Sequence, residues 1–209
     1  MSSSRSKQRL GILLREASTL ISEKRYAEAV AMLEKGIDLY PDSTALWKGL
    51  LDCNLELRNP RKAVEALSNI VRLQPNSAEA WTEKAYLHLL LNESAECITS
   101  LRESLRIQPR NANGWQILAA VLIVNDDWDQ AGEALERGIM LEPNSAFMWY
   151  NYAVYHFLAD NDEDALECAH YALSLDPMLE EAASEWIEAI EPDITYDENW
   201  PDDEDIAAA

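Results

Sequence analysis

Five prolines recur at a constant spacing of 34 residues, at Pro41, Pro75, Pro109, Pro143 and Pro177. Proline ends a helix because it lacks a backbone N–H and its ring clashes with the preceding turn. A spacing that does not drift over five copies indicates a repeat architecture, in which each unit packs on its neighbours. This series constrains the fold more than any other feature of the chain.

Four tryptophans follow the same period, at Trp47, Trp81, Trp115 and Trp149, and Leu13 holds the matching position in the first copy. Between the prolines, apolar residues recur at helical spacing on either side of a short polar turn. This pattern predicts two amphipathic helices in each copy. Because an aromatic stripe at helical spacing is usually part of a core, we expect the tryptophans to pack between helices.

The period also predicts how the chain is divided. We expect a disordered serine-rich leader at residues 1–6 and one repeat domain over residues 7–191. A helix at 179–190 has no partner helix after it, which is typical of a cap that covers the last repeat. An acidic segment at 192–209 is expected to be a disordered tail. The expected repeats span residues 10–43, 44–77, 78–111, 112–145 and 146–179.

A small residue recurs in each second helix, at Ala29, Ala63, Cys97, Ala131 and Ala165, with a large apolar position four residues later in most copies. Together with the period and the phased tryptophans and prolines, this pattern resembles the tetratricopeptide repeat (TPR) family. The resemblance covers about residues 10–179. It implies an all-α fold, a right-handed α-solenoid of five TPR helix pairs plus a C-terminal capping helix. It also implies a protein-binding role without an enzyme activity or a cofactor.

The charge is divided unevenly along the chain. The net charge is -21, and residues 138–209 hold 19 of the 38 acidic residues but no Lys or Arg. This half of the chain therefore disfavours nucleic acid and anionic membranes as partners. It is compatible with a basic protein partner, with head-to-tail attraction between copies as a homo-oligomer, or with an acidic surface that only keeps the protein soluble.

Three cysteines form no CxxC pair, which favours reduced thiols in a reducing compartment. The N-terminus is a poor signal peptide, and no stretch is long and apolar enough for a membrane span. We therefore expect a cytoplasmic protein. His156, Cys168 and His170 form the only histidine-rich part of the sequence. Their spacing is not that of a zinc site, so we predict no metal site and no catalytic residues.

In the family that the chain resembles, first helices line a concave groove in which partner peptides lie. When the groove-facing positions of the family are transferred to this chain one by one, they predict a groove that is charged at its start. Further along, the predicted groove is amide-rich and apolar. The predicted partner-binding residues are Lys48, Asp52, Glu79, Glu83, Tyr86, Asn113, Gln116, Ile117, Val124, Tyr150, Asn151 and Val154.

One subset of the family uses a clamp of lysine, asparagine and arginine to hold the C-terminal carboxylate of chaperones. The clamp can be aligned with this chain in three registers, and none of them places positive charge at the last two clamp positions. In the register that places two glutamates there, their carboxylates would repel a C-terminal carboxylate. We therefore do not expect a co-chaperone of the clamp type. The pairs at those positions are Glu79 with Glu83, Asn113 with Ile117, or Phe147 with Asn151.

The leading hypothesis is an adaptor or chaperone that binds a basic, amphipathic partner segment in the groove. One alternative is an assembly factor that self-associates through charge-polarised ends, and another is a regulatory subunit of an enzyme complex. The apolar groove positions have a second interpretation, in which they close the groove or bury the protein's own terminal helix. The strip Ile194–Trp200 is either a short docking motif or part of a solvating tail.

Overall fold

The computed structural model describes residues 2–190, and within that range every regular element is a helix. The first helices of the repeats are α1 (Ser2–Ser22), α3 (Thr44–Glu56), α5 (Ala78–Leu90), α7 (Ala112–Val124) and α9 (Ala146–Leu158). The second helices are α2 (Tyr26–Leu39), α4 (Pro60–Leu73), α6 (Ser94–Ile107), α8 (Trp128–Leu141) and α10 (Asp162–Leu175). A 3-10 helix, Pro177–Leu179, leads into α11 (Glu180–Ile190). The predicted all-α class is confirmed.

The first helix differs from our expectation. It begins at Ser2 and so runs through most of the serine-rich leader that the sequence predicts to be disordered. Adding a residue to an existing helix costs far less than nucleating a new one, so a polar segment can extend α1 backwards. The predicted tail at 192–209 lies outside the described residues.

The helices form two compact units, Met1–Val121 and Leu122–Ala209, with the boundary inside α7. In the first unit, consecutive helices pack on one another from α1 through α6. In the second unit, α8 packs on α9, α9 on α10, and α10 on α11.

The repeated small positions are the centre of the packing. Ala29, Ala63, Cys97, Ala131 and Ala165 are all 0% exposed, as the sequence predicts. The large positions that follow are equally buried, at Leu33, Leu67, Leu101, Leu135 and Ala169. A side chain larger than alanine or cysteine at the small position would push paired helices apart, since interiors are close-packed.

A neighbouring pair of positions shows that residue sizes compensate between helices. Gly36 of α2 lies against Leu46 of α3, and a Cβ on Gly36 would come within 3.2 Å of the leucine Cδ1. One repeat later the sizes are reversed, with the buried Ile70 on α4 and the buried Ala80 on α5. The larger side chain therefore comes from the first helix in one repeat and from the second helix in the next, while the pair changes by only one methyl group.

Each tryptophan of the repeat is bonded to the proline of the preceding turn. The indole N–H of Trp47 donates to the carbonyl oxygen of Pro41 at 2.8 Å, and Trp81 donates to Pro75 at 3.0 Å. The same bond recurs from Trp115 to Pro109 at 2.9 Å and from Trp149 to Pro143 at 2.7 Å. The tryptophans therefore close the turns between repeats as well as packing in the core. The sequence predicts only the packing.

A second periodic feature is visible only in the backbone. The second residue after each first helix has a positive φ of 55–58°. These residues are Lys24, Arg58, Asn92, Asp126 and Asp160. The next residue donates its N–H to the carbonyl five positions back, a bond of 2.8–3.0 Å that terminates the helix. This left-handed position strains side chains other than glycine, and asparagine and aspartate tolerate it best.

Replacing Arg58 by glycine should therefore stabilise the first unit. Arg58→Gly removes the left-handed strain, and the greater freedom of glycine in the unfolded chain offsets part of that gain. We expect a net increase of about 0.5 kcal/mol in the free energy of unfolding, measured by urea denaturation. Asn92→Gly should give a smaller increase, because asparagine tolerates this conformation. A loss of stability in Arg58→Gly would contradict the strain argument.

Replacing Trp47 by phenylalanine should destabilise the fold. Trp47→Phe keeps an aromatic ring but leaves the Pro41 carbonyl without its indole donor. A neutral hydrogen bond contributes about 1 kcal/mol to stability, so we expect the free energy of unfolding to fall by at least that amount in urea denaturation. Unchanged stability would show that the indole bond only accompanies the packing.

Candidate partner-binding site

Four of the predicted groove residues meet at one pocket of the first unit. Lys48 and Asp52 lie four residues apart on one face of α3, and Glu79 and Glu83 do the same on α5. All four line a pocket of about 180 Å³ between the two helices. The helical period therefore brings the predicted charged residues together, as expected.

The inner wall of this pocket is apolar. It is formed by Leu51, Ile70 and Ala80, which are 5%, 1% and 5% exposed, and Ser77 lies at its edge. The sequence does not predict these residues as binding residues, because buried apolar positions at helical spacing indicate a core. Leu51 and Ala80 lie next to Asp52 on α3 and Glu79 on α5, so their place in the sequence could have found them. Ile70 is on α4, and no sequence spacing links it to the pocket.

The pocket holds three carboxylates and one lysine, and burial acts on two of the acids. Burial raises the pKa of Asp52, and Lys48 partly offsets that rise. Burial also raises the pKa of Glu83, and the negative charge of Glu79 adds to it. The raised pKa values show that the carboxylates are incompletely neutralised by their surroundings. A positively charged group entering the pocket would stabilise their charged form.

Further along the first unit, Tyr86 and Asn113 are linked. The Asn113 Nδ2 donates to the Tyr86 hydroxyl at 2.8 Å. One N–H group of Asn113, which the sequence places among the partner-binding residues, therefore positions the tyrosine. Tyr86 and Leu90, four residues apart on α5, are 42% and 68% exposed. They form an exposed apolar surface on the helix that carries Glu79 and Glu83.

The remaining predicted residues of α7 differ in exposure. Gln116 and Ile117 are partly buried in the first unit. Val124 is 80% exposed and belongs to the second unit. The twelve predicted residues therefore fall into two sets, one in each unit.

In the second unit, part of the predicted set contacts the protein's own closing helix. The Tyr150 hydroxyl donates to the Ala182 carbonyl of α11 at 2.9 Å. Asn151 and Val154 are partly buried, and the Asn151 Nδ2 is buried without a hydrogen-bond partner in the described part of the chain. For Tyr150, the structure thus agrees with the second interpretation, in which groove residues cover the terminal helix.

The closing helix is anchored by apolar contacts of its own. Ala183, Ile187 and Ile190 are buried against the core of the second unit. The Trp186 ring packs on Phe157 with their centroids 5.0 Å apart. These contacts match the capping role that the sequence predicts for this helix.

The described residues contain neither a metal-binding cluster nor a membrane-spanning helix. Across residues 2–190, no group of three or more histidine, cysteine or acidic side chains is arranged to hold a metal ion. His156 lies 3.7 Å from Asp164, as a pair of side chains. Within the same range, no helix has both the length and the apolar character that a membrane crossing needs.

Removing the charge of a carboxylate whose pKa is raised in the pocket should raise stability. A carboxyl group whose pKa is raised by folding holds its proton more tightly when folded, so its ionised form destabilises the fold at neutral pH. Glu83→Gln should therefore raise the melting temperature at pH 7 by about 1–2 °C, a small amount because solvent screens this partly exposed group. The gain should shrink towards pH 4, where wild-type Glu83 becomes protonated.

Glu28 provides a control of the opposite sign. Arg25 lowers the pKa of Glu28 through a hydrogen bond and charge attraction. Glu28→Gln should therefore lose stability at pH 7 and lose less at pH 4. If Glu83→Gln and Glu28→Gln shift the melting temperature in the same direction, the electrostatic interpretation of the pocket is wrong.

Comparison with known proteins identifies the repeat. Two family models, both described as tetratricopeptide repeat, match residues 20–87 and 78–111. No curated protein sequence matches the chain. Among solved structures, a MamA protein is 19% identical, with a TM-score of 0.69 over 85% of this chain and 94% of that one.

Two further structures are similar. YrrB, described as a TPR protein with an unusual peptide-binding site, is 17% identical with a TM-score of 0.70, over 83% of this chain and 90% of that one. MamA from Desulfovibrio magneticus is 14% identical with a TM-score of 0.66, over 81% and 96%. At these identities the similarity establishes the fold, an α-solenoid, and no more.

Proposed function

We propose that this chain is a tetratricopeptide repeat protein that acts as a protein–protein interaction scaffold, and that its first unit binds a basic, amphipathic segment of a partner protein. The observation that carries the proposal is the pocket between α3 and α5, where Asp52, Glu79 and Glu83 outnumber Lys48. A lysine or arginine of the partner would enter this pocket and neutralise the excess negative charge.

The apolar side of the partner segment would lie further along α5. Tyr86 and Leu90 are exposed there, and the hydrogen bond from Asn113 fixes the orientation of the tyrosine ring. An aromatic ring that is already positioned loses little conformational freedom on binding. A helical or extended segment that alternates basic and apolar residues fits this arrangement of charge and apolar surface.

The same pocket disfavours a partner that presents its C-terminal carboxylate. In one of the three possible registers, Glu79 and Glu83 hold the positions at which the family's carboxylate clamp has positive charge, and burial already raises the pKa of Glu83. A further negative charge would be repelled. The adaptor or chaperone role that we propose is therefore different from that of clamp-type co-chaperones.

The proposal extends to the class and the compartment of the protein. We propose a non-enzymatic adaptor that acts in the cytoplasm. Cys53, Cys97 and Cys168 are unpaired and buried thiols, which supports a reducing compartment. YrrB supports the class of function, because it is described as a TPR protein with a peptide-binding site.

Selection of a displayed random peptide library on the full chain should test the proposal. We expect the selected peptides to combine Lys or Arg with apolar residues at helical or alternating spacing. The double variant Asp52→Asn with Glu83→Gln should weaken a selected peptide by at least tenfold in fluorescence anisotropy, because it removes two charges from the pocket. Higher salt should weaken binding to the wild type more than to the variant.

A matched control comes from the same unit. Glu65→Gln removes an exposed carboxylate on α4 that does not line this pocket, so affinity should not change. Tyr86→Ala should weaken binding without changing the salt dependence. Selected peptides that are acidic or uncharged, or equal losses in the control and pocket variants, would sink the proposal.

A further inference from the structure

A second pocket of the first unit lies between α2, α3 and α4, and we call it the α2–α4 pocket. Its volume is about 230 Å³. Three carboxylates line it together with one lysine, and these residues are Glu34, Asp38, Glu65 and Lys62. The α2–α4 pocket shares no lining residue with the acidic pocket between α3 and α5.

The single lysine compensates the acidic charge of this pocket only in part. The Lys62 Nζ lies 4.0 Å from the Glu34 Oε1, and the two side chains are 59% and 54% exposed. An ion pair that is this long and this exposed is weak. Among residues 2–190, neither Asp38 nor Glu65 forms a salt bridge. The α2–α4 pocket therefore keeps an excess of negative charge.

A buried amide in the same pocket has an acceptor that no group of the described chain uses. Asn54 lines the pocket and is 1% exposed. Its Nδ2 donates to the Leu50 carbonyl of its own helix at 2.8 Å, which leaves the Oδ1 turned away from that carbonyl. The Oδ1 is buried and has no hydrogen-bond partner in the described part of the chain. Leaving a buried acceptor unpaired costs stability, so the oxygen calls for a donor from outside.

Other repeats avoid this unpaired acceptor at the position of Asn54. The first repeat has the apolar Leu20 there. The third repeat has His88, whose Nδ1 lies 2.9 Å from a carboxylate oxygen of Glu93. In the second repeat the residue that corresponds to Glu93 is Asn59, which leaves the Asn54 oxygen unpaired. The free acceptor is therefore a feature of this repeat and does not follow from the packing of the fold.

The walls beside the amide are apolar. They are formed by Ile37, Trp47 and Leu50, and the bond from the Trp47 indole to Pro41 holds that ring in place. Apolar walls beside a buried acceptor and carboxylates fit a side chain with a long apolar stem and a positively charged end. A bare metal ion would make no use of the apolar walls, and no cluster of the described residues is arranged to hold one.

The equivalent pocket one repeat later has different chemistry. There, Ser68 and Thr99 occupy the positions of Glu34 and Glu65, and their hydroxyls donate to carbonyl oxygens of their own helices. A lysine, Lys84, replaces the leucine of the wall. The acidic excess therefore belongs to the α2–α4 pocket and is not repeated with the period.

We propose that the α2–α4 pocket binds an arginine side chain of a partner protein. The guanidinium donates to the Asn54 Oδ1 and pairs with the carboxylate of Glu65 or Asp38. Its plane packs on the Trp47 ring. Arginine fits better than lysine, because its planar fork of five donors can bond an amide oxygen and a carboxylate at the same time. This site goes beyond the proposed function, since it is formed by other residues and takes a separate side chain.

The test follows the indole N–H resonance of Trp47 in the full chain labelled with nitrogen-15, assigned by Trp47→Phe. A blocked Gly-Arg-Gly tripeptide is added, and we expect the resonance to shift until the site is saturated. The same tripeptide with citrulline in place of arginine keeps the shape but not the charge, and the lysine tripeptide keeps the charge but not the fork. Both should bind about fivefold more weakly than the arginine tripeptide.

Two variants of the pocket test the named contacts. Asn54→Leu should weaken the arginine tripeptide by about tenfold, because it removes the buried acceptor. The first repeat holds Leu20 at this position, so the fold should be kept, and the helical circular dichroism checks it. Glu65→Gln changes an exposed position and should weaken the tripeptide by about threefold without any risk to the core.

Asp52→Asn with Glu83→Gln is the matched control, because it removes two charges from the other pocket and should leave the Trp47 response unchanged. Glu65→Gln should in turn leave the peptide of the acidic pocket unaffected, so either site can fail without the other. A Trp47 resonance that no tripeptide moves would overturn the proposal and leave the Asn54 oxygen to water. Equal affinity for the citrulline or lysine tripeptide, or an affinity that Asn54→Leu and Glu65→Gln both leave unchanged, would overturn it as well.

Discussion

The bond from a tryptophan indole to the proline carbonyl six residues earlier is the contact on which the register of the repeats depends. The proline ends one helix pair, and the tryptophan begins the packing of the next. A hydrogen bond between them fixes the turn that sets one pair against the following one. After Pro177 the corresponding position is Ala183, which is fully buried but has no N–H to donate from its side chain. The regular repeat ends at that point, and a single helix closes the second unit.

Within this frame, the chain varies its side chains in ways that keep volume but change chemistry. Gly138 of α8 leaves room for the Met148 side chain of α9, and a Cβ there would lie 2.7 Å from the methionine sulphur. Volume can thus move between facing helices without a change of fold. Charge is exchanged less freely, because a half-buried ion without a partner is costly. Positions that break the apolar pattern are therefore informative about binding.

The acidic pocket is a place where the first unit gives up stability. Burial holds the pKa values of Asp52 and Glu83 above their ordinary range. A positively charged group would relieve this cost. Lys84 is likewise a half-buried charge at a position where the neighbouring repeats hold Leu50 and Leu118, and it lies over the Trp81 ring.

The sequence by itself determined the helix pairs, their period, the buried small positions and the closing helix, because each follows from local periodicity and from residues that end helices. It also placed Lys48 with Asp52 on one face of α3 and Glu79 with Glu83 on one face of α5, since residues four apart share a helix face. The meeting of those two faces at one pocket was decided by the tertiary structure. Only the tertiary structure decided the rest. The indole bonds and the hydrogen bond from Tyr150 to α11 depend on which side chains meet across turns and between helices. These contacts are set by how the helices pack across the turns. The spacing of residues in the sequence does not give the distance between side chains on different helices.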